Sequence, residues 1–251
     1  LGGADFGAGI IELFTSNKNR SRTRKTLYQA IGPIWEANHM WLIITIVILF
    51  VGFPAIYSTM SVSLHIPLTA MLLGIIARGT AFTFRHYDAV RDDLQIVYRR
   101  IFMWASAITP LFLGIIAASA VSGRIDPDAS NFLDGYIFSW LNLFSVSVGI
   151  FTAAICGFLA ATYLIGETDN ETDTKRFIAK ARTTNINAAC AGLLVFIAAA
   201  ADGIPLTDWV FGNATGIAAI SAASLSLALY WWLISKGKKY IIRVLAGFQI
   251  T

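Results

Sequence analysis

Charge is scarce in this chain of 251 residues: 14% of positions are Asp, Glu, Lys or Arg, against roughly a quarter in ordinary globular domains. With 56% hydrophobic residues and a mean hydropathy of +0.65, that scarcity excludes an ordinary soluble domain. Cysteine is nearly absent too. Cys156 and Cys190 both fall inside apolar runs, which argues against a disulfide framework, and a free Cys that is buried behaves as a small hydrophobe. The three histidines, His39, His65 and His86, have no Cys-His neighbours at metal spacing. Haem ligation would need two of them at matching depth on facing helices, whereas His39 and His86 fall near one membrane surface and His65 near the other. The glycine-rich start has no preceding strand and no following Lys-Ser or Lys-Thr, so it is no phosphate loop. No nucleophile elbow or Ser-His-Asp pattern points to soluble catalysis either.

What the chain does have is long runs without charge. They lie at 40–60, 62–84 (interrupted by Arg78), 101–122, 135–166, 183–201 and 209–235. Each approaches or exceeds the roughly 20 helical residues that cross a hydrocarbon core. Solid runs rather than alternation argue for helices and against a β-barrel. The expected fold is all-α: a polytopic transmembrane helical bundle of six complete helices, a partial first helix ending near Phe14, and the start of a further one near Tyr240. The whole of 1–251 reads as a single membrane domain, a fragment of a longer subunit with both ends truncated.

Basic residues then set the orientation. Five lie at 18–25, five at 78–100, four at 175–182 and four at 236–243, which puts 18 of the 19 on alternate connections; the other side holds only Arg124, among Asp126, Asp128, Asp134, Asp202 and Asp208. Basic connections stay cytoplasmic, so loops 15–33, 85–100, 166–182 and 236–239 are assigned to the cytoplasm. The cluster at 18–25 reads as an orienting, lipid-facing segment, with no nucleic acid as partner. Trp35, Trp41, Trp209, Tyr230, Trp231 and Trp232 fall where interfacial aromatic belts belong.

Three ionisable groups stand out at membrane depth. At about 1.5 Å of rise per residue, Asp5 lies roughly 13 Å above the inner end of its helix. If the second and third helices form a hairpin turning near Ser61, Glu36 is level with Arg85 or His86 near the inner surface. Arg78 is then roughly 12 Å deeper than Glu36 and shares a layer with Asp5. A charge at that depth costs a few kcal/mol unless it is paired or hydrated. Asp5 and Arg78 form either an ion pair that clamps two helices or part of a proton route that Glu36 feeds from below. The small residues at 2–9 are expected to let helices pack closely.

Gly-Ala-Asp-Phe-Gly-Ala-Gly at 3–9, Ile-Gly-Pro-Ile-Trp-Glu-Ala-Asn-His-Met-Trp-Leu at 31–42, Gly-Phe-Pro at 52–54 and Arg-Gly-Thr-Ala-Phe-Thr-Phe-Arg at 78–85 together resemble subunit II of the cytochrome bd quinol oxidases. A weaker echo is Phe-Leu-Ala-Ala-Thr-Tyr-Leu at 158–164; the remainder is similar only in hydropathy and helix count. The resemblance implies a terminal oxidase of the bacterial cytoplasmic membrane that oxidises quinol and reduces dioxygen to water. It implies that haems b and d and the quinol-oxidising loop belong to the partner, subunit I, and that this chain binds no haem. It further implies that Asp5, Glu36 and Arg78 line cytoplasmic proton delivery, and that Trp35, Asn38 and Trp41 belong to the subunit interface or an oxygen path. Glu36 stands where the family also uses Asp, which keeps the chemistry and changes its reach. Lipid and quinone are the other expected partners, with a small accessory subunit left open.

Two readings of other classes compete. A proton-coupled transporter would carry paired mid-membrane helix breaks, and Pro54, Pro67, Pro110 and Pro205 occur singly or near helix ends. A purely structural scaffold would use the ion pair for packing alone.

Overall fold

The computed structural model describes residues 2–87, 94–168 and 170–235, with all their side chains except those at 17, 18, 31, 33, 34, 36, 39, 85–87 and 235. Ten helices follow one another among the described residues: α1 (Gly3–Leu13), α2 (Asn17–Gly52), α3 (Pro54–Ser63), α4 (His65–Tyr87), α5 (Leu94–Val121), α6 (Phe132–Tyr136), α7 (Leu143–Gly166), α8 (Glu171–Ala201), α9 (Leu206–Phe211) and α10 (Ala214–Ser235). Five of them, α4, α5, α7, α8 and α10, are long and apolar enough to cross a membrane, and six if the bent pair Met40–Gly52 and Pro54–Ser63 is counted as one span. The expected all-α polytopic bundle is therefore the observed one. The helix start expected near Tyr240, the loop 236–239 and positions 88–93 of the loop 85–100 lie outside the described residues.

Three boundaries differ from the sequence reading. Run 40–60 is not one straight helix: at Phe53 the axis turns by 112°. Pro54 takes the first position of α3, where its missing N–H and fixed φ suit a helix start and cannot continue the preceding ladder. Segment 15–33, expected as a loop, is helical from Asn17 onward, because its Lys, Arg, Gln, Leu and Ala residues are good helix formers. Segment 166–182 is likewise helical from Glu171, with the Asn170 side chain accepting from Thr172 N at 3.0 Å as a cap.

Packing radiates from α7, which contacts α1, α5 and α8, while α4 lies on α5 and α1 is wedged between α5 and α7. Small residues make the wedge close. A Cβ on Gly7 would overlap the backbone carbonyl of Cys156 in α7, and one on Gly9 would overlap the side chain of Ser106 in α5. Gly114 and Gly149 do the same for α5 against α7. The glycine-rich face of α1 expected to pack closely does so against both α7 and α5. Beneath α1, Ala8 and Ile11 join Leu27, Ala30, Ala161, Leu164, Phe177 and Ala181 in one apolar cluster. At its far end, α8 closes in a Schellman turn: Gly203, at φ 72°, donates to Ala200 O, and Ile204 donates to Ala199 O at 2.8 Å.

Polarity is inverted relative to a soluble protein. Asp5, Glu12, Arg78, Ser106, Thr109, Ser119, Ser145 and Ser147 are buried, while Ile43, Val47, Val51, Leu73, Trp104, Leu193 and Leu225 face outward. Hydrocarbon outside and satisfied polar groups inside is the arrangement a bilayer demands.

Gly7→Val should overpack the α1–α7 contact and cost about 1–3 kcal/mol. Gly52→Ala is the control, since nothing lies within 4 Å of its added carbon. Comparing the precipitation temperatures of the two detergent-solubilised variants checks this; equal temperatures would contradict the contact.

Candidate functional site

The site begins with the helix that can approach closest. Because Gly7 and Gly9 present no side chain, α1 sinks far enough between α5 and α7 for Asp5 to reach the middle of α4. Asp5 is 1% exposed and Arg78 is 0% exposed, so neither charge is solvated by bulk water.

Arg78 is bonded on every side. Its Nη1 donates to Asp5 Oδ2 at 3.1 Å. Its Nη2 donates to Asp5 Oδ1 and, at 2.9 Å, to the Asp5 backbone carbonyl. Its Nε donates to Ser106 Oγ at 3.1 Å. The guanidinium carbon stands 5.0 Å from the Phe6 ring centroid and 5.4 Å from that of Phe102, distances at which ring quadrupoles attract a cation. Two-pronged bonding to the carboxylate gives this pair strength and a fixed orientation. The expectation that Asp5 and Arg78 share one layer is met as direct contact.

Glu36 is placed by its backbone alone, since its side chain lies outside the described residues. Trp35 and Tyr28 both stack on Phe82 of α4 at centroid distances of 5.1 Å, which lays this part of α2 beside the basic half of α4. The Trp35 ring also comes within 3.4 Å of the Cβ position of Gly79, next to Arg78, so the backbone of Glu36 lies within about one helical turn of the Arg78 layer rather than the expected 12 Å below it. The correction follows from the bend at Phe53: α3 runs across the end of the hairpin and spends ten residues without adding depth.

Of the aromatic candidates, Trp35 packs inward on Phe82, whereas Trp41 is 52% exposed and faces out. Asn38 is half-buried. The structure thus separates Trp35 from Trp41. The exposed His65 ring bonds through Nδ1 to Val62 O at 2.9 Å and meets Tyr136 edge-on; the His39 and His86 side chains lie outside the described residues. Among the described residues no group of three His, Cys, Asp or Glu side chains converges on a point.

Sequence reasoning passed over the foot of α1. Glu12 is 1% exposed and falls seven residues from Asp5, two turns along the same helix face; that spacing was the available signal. Around it the basic residues are part of the fold. Lys180 donates to Phe14 O at 3.2 Å and Arg20 to Thr15 O at 3.0 Å, placing cations at the negative end of the α1 dipole. Asp173, 4% exposed, holds Arg22 at 2.8 Å and Arg176 at 3.3 Å, and Arg176 donates to Thr23 Oγ1 at 2.9 Å. At the opposite end, Arg124 pairs with Asp202 at 3.1 Å.

Helices that expose apolar side chains and enclose an Asp–Arg pair make this a multi-pass integral membrane protein. The chain belongs to the cytochrome bd terminal oxidase subunit II family, whose model matches residues 1–251. It is 30% identical over 161 residues to cytochrome bd ubiquinol oxidase subunit 2 of Bacillus subtilis (strain 168), covering 62% of this chain and 45% of that protein. It is 23% identical over 169 residues to cytochrome bd-I ubiquinol oxidase subunit 2 of Escherichia coli (strain K12), covering 64% of this chain and 43% of that protein. The matched segments span less than half the length of these curated relatives.

Removing one partner of the buried pair leaves the other charge stranded. Arg78→Leu should cost about 3–5 kcal/mol, and the double variant Asp5→Asn, Arg78→Leu should recover a large part of it. Thermal denaturation of the solubilised single and double variants measures the difference. A double variant no more stable than Arg78→Leu would contradict the pairing.

Proposed function

We propose that this chain is the haem-free subunit of a terminal oxidase that oxidises quinol and reduces dioxygen to water, and that Asp5, Glu36 and Arg78 line its route for protons from the cytoplasm. The observation that carries the reading is the fully enclosed Asp5–Arg78 pair, since ionisable groups kept at membrane depth mark ion and proton pathways. Membership of the oxidase subunit family supplies the reaction. In this reading the chain forms a single membrane domain in a bacterial cytoplasmic membrane, with the end that holds Arg20, Arg22, Arg176 and Lys180 facing the cytoplasm. Haems b and d reside in a partner subunit I, which supplies the redox chemistry. Trp35, Asn38 and Trp41 belong to the subunit contact or to a path for oxygen, and lipid and quinone surround the complex.

Glu36 receives protons near the surface, and the Asp5–Arg78 layer lies about one turn further along the register. Protonating Asp5 removes the charge that holds Arg78, so its occupancy and the bonding of Arg78 change together. A second reading has a specific observation behind it: both Asp5 carboxylate oxygens are bonded to Arg78, as a static clamp would require. Oxygen uptake by the double variant decides between them, because a scaffold tolerates loss of both charges and a proton route does not.

Glu36→Gln should slow quinol-driven oxygen consumption by about tenfold or more, within the range a positioned proton-transfer group supplies. Haem absorption of the assembled oxidase should stay unchanged. Native turnover in that variant would remove Glu36 from the route.

A further inference from the structure

Glu12 is a carboxylate as deeply enclosed as Asp5, at 1% exposure, and the route above does not use it. Seven residues complete almost two turns, so the two acids share one face of α1 about 10 Å apart. Gly9 lies between them, one turn from each. Ser106 of α5 packs there: a Cβ on Gly9 would overlap Ser106 Oγ and come within 3.2 Å of Phe102 O. The Ser106 hydroxyl therefore sits against α1 midway between the two carboxylates.

That hydroxyl differs from its neighbours. Thr109, Ser119, Ser147 and Thr152 each donate to the carbonyl four residues back, the usual way to satisfy a hydroxyl in an apolar helix. Ser106 instead accepts from Arg78 Nε, which uses an oxygen lone pair and leaves its own proton to donate. Two turns toward the basic end of α5 is Arg99, whose Nε is buried with no hydrogen bond. Since α1 and α5 run antiparallel in this contact, with Ser106 level with Gly9, Glu12 comes level with Met103 and Arg99 lies about one turn beyond it toward the basic end. An acid, a hydroxyl and an acid, with Arg78 bonded at the Asp5 end, occupy one seam between α1 and α5.

We propose that Glu12 collects protons at the basic end of the bundle and passes them along this seam to Asp5 through the Ser106 hydroxyl. In each transfer the proton on the Glu12 carboxyl moves to Ser106 Oγ while the original Ser106 proton moves to the Asp5 carboxylate. One water on either side carries the proton across the remaining gap. Glu12 returns to carboxylate, Ser106 to neutral hydroxyl, and Asp5 gains one proton. The proposal rests on the proton-delivery reading and adds to it an entry leg distinct from Glu36.

The test compares variants of this chain in the assembled oxidase, reading quinol-driven oxygen uptake with haem absorption as the measure of assembly. Glu12→Gln should lower kcat by about tenfold with KM for quinol and the haem spectrum unchanged. Glu12→Asp should restore most of the turnover, and Ser106→Ala should reproduce the loss. Native turnover in Glu12→Gln overturns the proposal, as does a Glu12→Asp variant no faster than Glu12→Gln. If Glu12→Gln does not assemble, Ser106→Ala decides: slow with intact haem supports the seam, and native turnover overturns it. Asp5→Asn separates the two layers of the argument. Native turnover there defeats the delivery reading itself, while slow Asp5→Asn beside fast Glu12→Gln defeats only the entry leg.

Discussion

An arginine in the middle of a membrane helix dictates much of the surrounding architecture. Arg78 cannot stay in hydrocarbon unpaired, and its guanidinium cannot shed its charge. A carboxylate, a backbone carbonyl and a hydroxyl must therefore come to it, and Asp5 and Ser106 do. Bringing a carboxylate from another helix requires α1 to lie unusually close to α5 and α7. That requirement accounts for Gly7 and Gly9, where any side chain would strike a neighbouring helix. Phe6 and Phe102 complete the enclosure over the guanidinium.

The rest of the interior follows one economy. Hydrophobic burial gives helices little reason to associate when the surrounding lipid is as apolar as leucine. Close van der Waals contact and interhelical hydrogen bonds have to hold the bundle instead. Gly114 against Gly149, Gly74 against Thr109, Ser119 bonded to Ser145, and Tyr230 bonded to Thr162 at 2.8 Å serve that purpose. The last of these, with Phe158 packed on Tyr230, joins α10 to α7.

Apolar runs and basic clusters were legible because a bilayer imposes both directly: length through its thickness, and charge placement through the cost of moving cations across it. The spans α4, α5, α7, α8 and α10 fall on the runs read from sequence. The depth match of Asp5 with Arg78 was legible for the same reason, since helical rise converts sequence position into height. Corners and surfaces were harder. Hydropathy is blind to direction, so nothing in the apolar run distinguishes a straight crossing from one that turns at Phe53, although Pro54 marked the place. Nor does a basic stretch announce whether it is a loop or the polar start of a long helix, as 18–25 proved to be in α2. Glu12 was missed because the eye follows charge density, and one acid at a helix foot beside a basic cluster reads as ordinary surface until the packing encloses it.

The separation of the buried pair along the chain has a consequence for biogenesis. Asp5 and Arg78 are 73 residues apart, and synthesis at about 5–20 residues per second opens an interval of roughly 4–15 seconds between their emergence from the ribosome. Through that interval the first helix has no arginine to meet. Docking of α1 around the pair therefore belongs to the final assembly of the bundle rather than to the insertion of α1.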